Sequence, residues 1–272
     1  MENAHLLQDV LGESMTTNLW IYGDSFADRI HTPSGDMFTY QTYHDMLEKK
    51  YTLQLMAESG SSPEWTEHQL HKNYPTSKKN DHYALIMLSD MHRQWMPDLR
   101  RANNDYNHTA HGIGEYKNLR DRKDVQSIMY QHSRPKIFVE RWRRCLTSLR
   151  YSLELASFKR VLIIFCFAGD YVRSKPYHRL LHLPNVTIEN RFVMWNLHIN
   201  DKPIKFFDAK PDPRPNHMNS YNHSIFAKYV QHELIEQTPY NPRFMSMDYA
   251  KKTKTWSNAR NIKLEIKWDN RL

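Results

Sequence analysis

The chain has 272 residues, 40% of them hydrophobic and 25% charged, with a formal net charge of +8. That length can bury the core of one elaborated domain, or of one domain plus an appendage, and no apolar run approaches the ~20 residues needed to cross a bilayer. Two isolated cysteines, Cys145 and Cys166, give neither a disulfide framework nor a zinc site, and the seven glycines have neither the P-loop nor the dinucleotide-fold spacing.

Residues 1–18 read as a loose lead-in. They carry no basic segment followed by an apolar one, so no secretion signal is expected and a cytoplasmic location follows. Leu19–Tyr22 is a short apolar run that predicts a buried strand. It stops abruptly at Gly23-Asp24-Ser25, which is either a plain turn or a serine presented at a strand end. After a turn at Thr32–Gly35, residues 36–50 carry Phe38, Tyr43, Met46 and Leu47 at mixed helical spacing and predict an amphipathic helix. Tyr51–Ala57 predicts a second strand, ending on Glu58-Ser59-Gly60-Ser61-Ser62-Pro63. Ser62 fits the cap and Pro63 the first turn of a helix that runs to about Lys72. Tyr83–Leu88 predicts a third strand, ending on Ser89-Asp90-Met91-His92.

Residues 96–133 are rich in Asn, His, Arg and Asp and poor in aliphatics, which marks an insertion on the surface. Pro135–Phe158 predicts a long amphipathic helix. Val161–Ala168 is continuous and apolar, as a parallel strand buried on both faces is, and ends on Gly169-Asp170-Tyr171. Lys205–Asp208 fits a fifth, short strand and Asn219–Gln237 a last helix. The alternation of strand and helix predicts an open parallel α/β sheet with helices on both faces. In such sheets the ligand crevice lies beyond the carboxyl ends of the strands, where these polar strand ends fall.

A serine nucleophile needs a base, and the base needs a group to orient it. His217 lies in a proline-rich loop just before the last helix, with Asp212 five residues earlier. The pairing of a strand-borne Gly23-Asp24-Ser25 with this late Asp and His resembles the SGNH/GDSL hydrolase family. Gly60 matches the glycine of the second family block, and His217-Met218-Asn219-Ser220-Tyr221 follows the cadence of the fourth. Gly-Asp-Ser is expected by chance about 0.03 times among seven glycines. The resemblance covers most of residues 19–237. It leaves the 96–133 insertion and a basic extension at 238–272 outside.

What the resemblance implies is a three-layer α/β/α, flavodoxin-like open parallel sheet of about five strands. It further implies a serine esterase or O-deacetylase acting on a small acyl ester, such as an O-acetylated carbohydrate, with no cofactor and no metal. Ser25 is then the nucleophile, His217 the base and Asp212 its orienting acid. The N–H groups of Ser25 and Gly60 hold the oxyanion, and Asp24 braces the turn. Two departures stand out. The third family block, GxND, contains an asparagine that donates to the oxyanion; here the stretch reads LSDMHR, so His92 or a backbone N–H must take that part. The acid lies three residues before the histidine in the family, where this chain has Arg214. Divergent members from bacteriophage genomes, similar in this respect, also lack that asparagine, which leaves virion association open.

Asp90, Arg93 and Asp170 are candidates for substrate contact, against strand-end turns and local ion pairs. His223 is the second candidate for the base. His178 and His182 could share a helix face but have no third ligand, and His108 and His111 read as loop residues. Trp65 and Trp95 read as core side chains before they read as sugar platforms. Residues 250–272 hold seven basic residues against Glu265 and Asp269, which fits a solvated face better than a nucleic-acid contact. The alternative to an esterase is a catalytically degenerate descendant that uses the same crevice to bind a glycan or a protein partner. No membrane partner is expected, and the sequence leaves the oligomeric state open.

Overall fold

In the computed structural model the described residues are 17–29, 41–58, 60–78, 80–89, 135–166, 181–189, 194, 218 and 220–244. Five strands form one sheet: β1 (Thr17–Gly23), β2 (Thr52–Ala57), β3 (Asp81–Leu88), β4 (Arg160–Phe165) and β5 (Val186–Ile188). Their order is β2-β1-β3-β4-β5, and every adjacent pair is parallel. This is the flavodoxin-like order. The chain leaves β1 to build β2 on one side and returns to build β3 on the other, so the switch point of the topology lies at the carboxyl end of β1.

Strand side chains alternate between the two faces of the sheet, so each face has its own core. On one face Leu19, Ile21, Leu85, Met87, Leu162 and Ile164 pack with residues of α1 (Tyr43–Glu48) and α4 (Ser220–Tyr229). On the other, Tyr22, Ala84, Ile86, Leu88, Ile163 and Phe165 pack with residues of α2 (Pro63–Lys72) and α3 (Pro135–Leu155). The result is three layers with helices on both faces of a parallel sheet. Because both faces are covered, β3 and β4 read as nearly continuous apolar runs.

Local chemistry fixes the helix starts. Ser62 Oγ accepts the N–H of Trp65 at 3.2 Å, and Pro63 occupies the first helical position of α2. The first helix is shorter than its composition suggests. It begins at Tyr43 because the Asp45 carboxylate accepts both the N–H of Thr42, at 2.7 Å, and its hydroxyl, at 2.8 Å. A half-buried ion pair between Glu64 and Arg141 ties α2 to α3.

Two elements differ from the sequence pattern. The fifth strand of the described sheet is Val186–Ile188, whose three residues pair with Val161–Ile163. Lys205–Asp208, expected as the fifth strand, lies outside the described residues, as do the 96–133 insertion and residues 245–272. The last helix changes pitch: α4 passes into a π-helical segment, Val230–Glu236, closed by Gln237 with φ at 58°. The chain beyond it stays on the core, where Tyr240 and Phe244 pack against the α1/α4 cluster. Among the described residues no helix is long and apolar enough to cross a membrane.

Candidate active site

The carboxyl end of β1 is shaped by Gly23. Its φ is +148°, and a Cβ there would stand 2.5 Å from the carbonyl oxygen of Met87 on β3 and 2.9 Å from the Cβ of Ala27. Only glycine fits. The close approach lets the chain turn sharply off the strand. Asp24 then opens a single helical turn: its carbonyl accepts the N–H groups of Ala27 and Asp28, both at 2.9 Å, and its side chain accepts that of Phe26 at 3.1 Å. Ser25 occupies the first position of this turn and is 7% exposed.

Asp24 is fully buried and works as a brace. Besides the Phe26 N–H, its carboxylate accepts the Ser89 hydroxyl at 2.8 Å and faces the Cys166 thiol at 3.5 Å. Ser89 follows β3 and Cys166 follows β4, so one side chain joins three strand ends. A buried carboxylate is costly unless it is hydrogen-bonded, and these donors supply that.

The loop after β2 is latched to the same place. The carbonyl oxygen of Gly23 accepts the Glu58 N–H at 3.1 Å and the Ser61 hydroxyl at 3.0 Å. Between these two latches lies Gly60, whose φ of +84° is a left-handed conformation that glycine adopts without strain. The opposite side of the Ser25 turn is held by α1. The Tyr43 hydroxyl donates to the Phe26 carbonyl at 2.9 Å, and His44 Nε2 lies 2.8 Å from the Ala27 carbonyl.

Ser25 and Gly60 thus stand on neighbouring loops at the switch point. Asp90, His92, Arg93, Asp170, Asp212 and His217 all lie outside the described residues. The residue after His217, Met218, is described; it is buried in the cluster that also contains Phe26, Ala27, Met87 and Cys166. His223 is placed, and it faces α1: its Nδ1 accepts the Tyr43 N–H at 3.3 Å, and its ring stacks on that of Tyr43 with centroids 5.7 Å apart. Trp65 is 6% exposed, which makes it a core side chain rather than a sugar platform. His182 is exposed in the loop before β5. Among the described residues no three His, Cys, Asp or Glu side chains form a metal-binding group.

Ser89 belongs to a strand end that the sequence already places at this edge, whereas Cys166, Tyr43 and His44 are not singled out by sequence alone. Cys166 could have been found as a small polar residue at the end of an apolar strand. Tyr43 and His44 carry no such signal, since their partners lie 17 residues away in a turn of irregular shape. A fifth strand end adds a buried acid. Glu189, just after β5, accepts the Tyr229 hydroxyl, and its N–H donates to Ile163 at 2.9 Å. No family model, curated protein or solved structure matches this chain.

Proposed function

We propose that the protein is a serine esterase or O-deacetylase whose nucleophile is Ser25. The observation that carries this reading is the placement of Ser25. It sits in the first turn after β1, at the switch point of a parallel sheet, on a turn fixed by a buried Asp24 and a glycine that admits no side chain. A rigid support of this kind suits a group that must hold a reacting geometry. The resemblance of Gly23-Asp24-Ser25, Gly60 and the His217 stretch to the SGNH/GDSL family points the same way.

In the proposed reaction Ser25 Oγ attacks the ester carbonyl while His217 takes its proton. His217 then returns a proton to the departing alcohol, and water repeats the sequence on the acyl-enzyme. Asp212 orients the imidazole. The oxyanion is held by the N–H groups of Ser25 and Gly60, with His92 or a neighbouring N–H as third donor. Each such donor contributes on the order of 3 kcal/mol to the transition state. Asp90, Arg93 and Asp170 are proposed to meet the substrate. No cofactor enters this scheme. A reducing, cytoplasmic location accords with two buried free thiols.

The test is labelling with a fluorophosphonate probe, wild type beside Ser25→Ala and His217→Ala. Labelling that requires both residues supports the reading, and a screen of short esters and acetylated sugars then defines the acyl group. A folded wild type that does not label refutes it in favour of a binding protein that uses the same crevice.

A further inference from the structure

We infer that Tyr43 and His44 are positioning residues that hold the Ser25 turn from its carbonyl side and reference it to α4. The inference rests on the proposed hydrolase reading for its effect on the reaction; the hold itself is a matter of geometry.

A single helical turn leaves its last carbonyls without partners inside the helix. Here the helix stops after one turn, and the carbonyls of Phe26 and Ala27 are in the interior, where an unpaired carbonyl is costly. The donors come from α1. The Tyr43 hydroxyl, on a fully buried ring, reaches the Phe26 carbonyl, and His44 Nε2 reaches the Ala27 carbonyl. A carbonyl only accepts, so His44 carries its proton on Nε2. Two residues further on, Arg29 pairs with Asp45 and Glu48 of the same helix. The chain that leaves Ser25 is therefore tied to α1 at Phe26, Ala27 and Arg29.

Tyr43 also faces the other way. Its N–H donates to His223 Nδ1, its ring stacks on that of His223, and Phe226 packs edge-on against it at 5.0 Å. Both partners belong to α4, the helix that follows the His217 stretch in the chain. One residue thus contacts both the turn that presents the proposed nucleophile and the helix that follows the proposed base in the sequence. In a serine hydrolase those two groups must keep hydrogen-bond geometry, and a misplacement of about 1 Å can cost as much as a hundredfold in rate.

The experiment compares wild type, Tyr43→Phe, His44→Ala and His44→Gln by two readouts. The first is the rate of fluorophosphonate labelling against probe concentration. Tyr43→Phe and His44→Ala are expected to lower the saturating rate roughly tenfold, with the half-saturating concentration unchanged. His44→Gln, whose side-chain amide can donate to the same carbonyl, is expected to recover most of it. The second is amide hydrogen exchange, which needs no activity. Exchange at residues 26–28 should be faster in Tyr43→Phe and His44→Ala than in wild type and His44→Gln, with β1 unchanged. Equal exchange at 26–28 in all four proteins would overturn the inference, as would a His44→Gln protein as slow as His44→Ala. A wild type that never labels removes the hydrolase reading alone, and the exchange result then decides the hold. Should His44→Ala not fold, Tyr43→Phe, which removes one oxygen, decides it.

Discussion

Ser89 donates its hydroxyl to the carboxylate of Asp24 across 2.8 Å, and so fastens the end of β3 to the turn that follows β1. Both residues are buried. Ser89→Ala removes a donor from a carboxylate that has no recourse to water. A destabilisation of about 1–3 kcal/mol is expected, read as a lower urea midpoint with an unchanged slope. The Ser25 turn should loosen with it, so the rate of fluorophosphonate labelling should fall too. An unchanged midpoint would mean that the brace is dispensable.

Gly23→Ala tests the tight exit from β1. Its Cβ would meet the Met87 carbonyl at 2.5 Å, and the backbone conformation is unfavourable for any L side chain. Main chain on β3 cannot swing aside as a flexible side chain can. The strain and overpacking should cost several kcal/mol, about as much as many domains possess. Loss of soluble, cooperatively unfolding protein is the expected result. A variant as stable as the wild type would contradict the geometry of this turn.

Much of this frame is legible in the sequence. β1, β3 and β4 announce themselves because parallel strands covered on both faces leave no polar interruption, and α2 because Ser62 and Pro63 are local start signals. The strand ends at Gly23, Gly60 and Ser89 follow from the strands. β5 is not legible, since Val186–Ile188 is three residues long and takes its identity from pairing with β4. The start of α1 at Tyr43 depends on Asp45 reaching back to Thr42, which competes with an apolar pattern that suggests an earlier start. The contacts of Tyr43 with Phe26 and His223 join segments far apart in the chain, and no local rule encodes them.

Acid should weaken the Thr42–Asp45 cap. Burial works to raise the Asp45 carboxyl, but the Thr42 N–H and hydroxyl and the Arg29 guanidinium outweigh it and hold the group below its ordinary value near 3.8. A carboxyl that is more acidic when folded contributes stability above its unfolded value and loses it as the pH falls through the folded one. Wild type should therefore lose more stability than Asp45→Asn between about pH 5 and pH 2, followed as urea midpoints. Parallel curves would show that the carboxylate contributes nothing.

Neither thiol should react in the folded protein. Cys145 and Cys166 are buried, and burial, aided by Glu64 and Glu67, pushes the Cys145 thiol up despite Arg141 nearby. The thiolate is the reactive form, so a disulfide reagent should titrate no thiol under native conditions and both in denaturant. Rapid native reaction of Cys166 would show that the strand-end cluster around Asp24 opens readily.

The packing of Tyr240 and Phe244 sets where this domain can be cut. Gln237 closes the last helix, and a boundary drawn from secondary structure would fall there. A chain ending at that residue would retain every strand and helix described. It would lose the stack of Tyr240 on His232 at 5.0 Å, the bond from the Tyr240 N–H to Glu233 and the apolar cover of Phe244. The π-helical segment would then present newly bared apolar surface to solvent. A shortened protein that is to keep its fold should therefore run at least through Phe244.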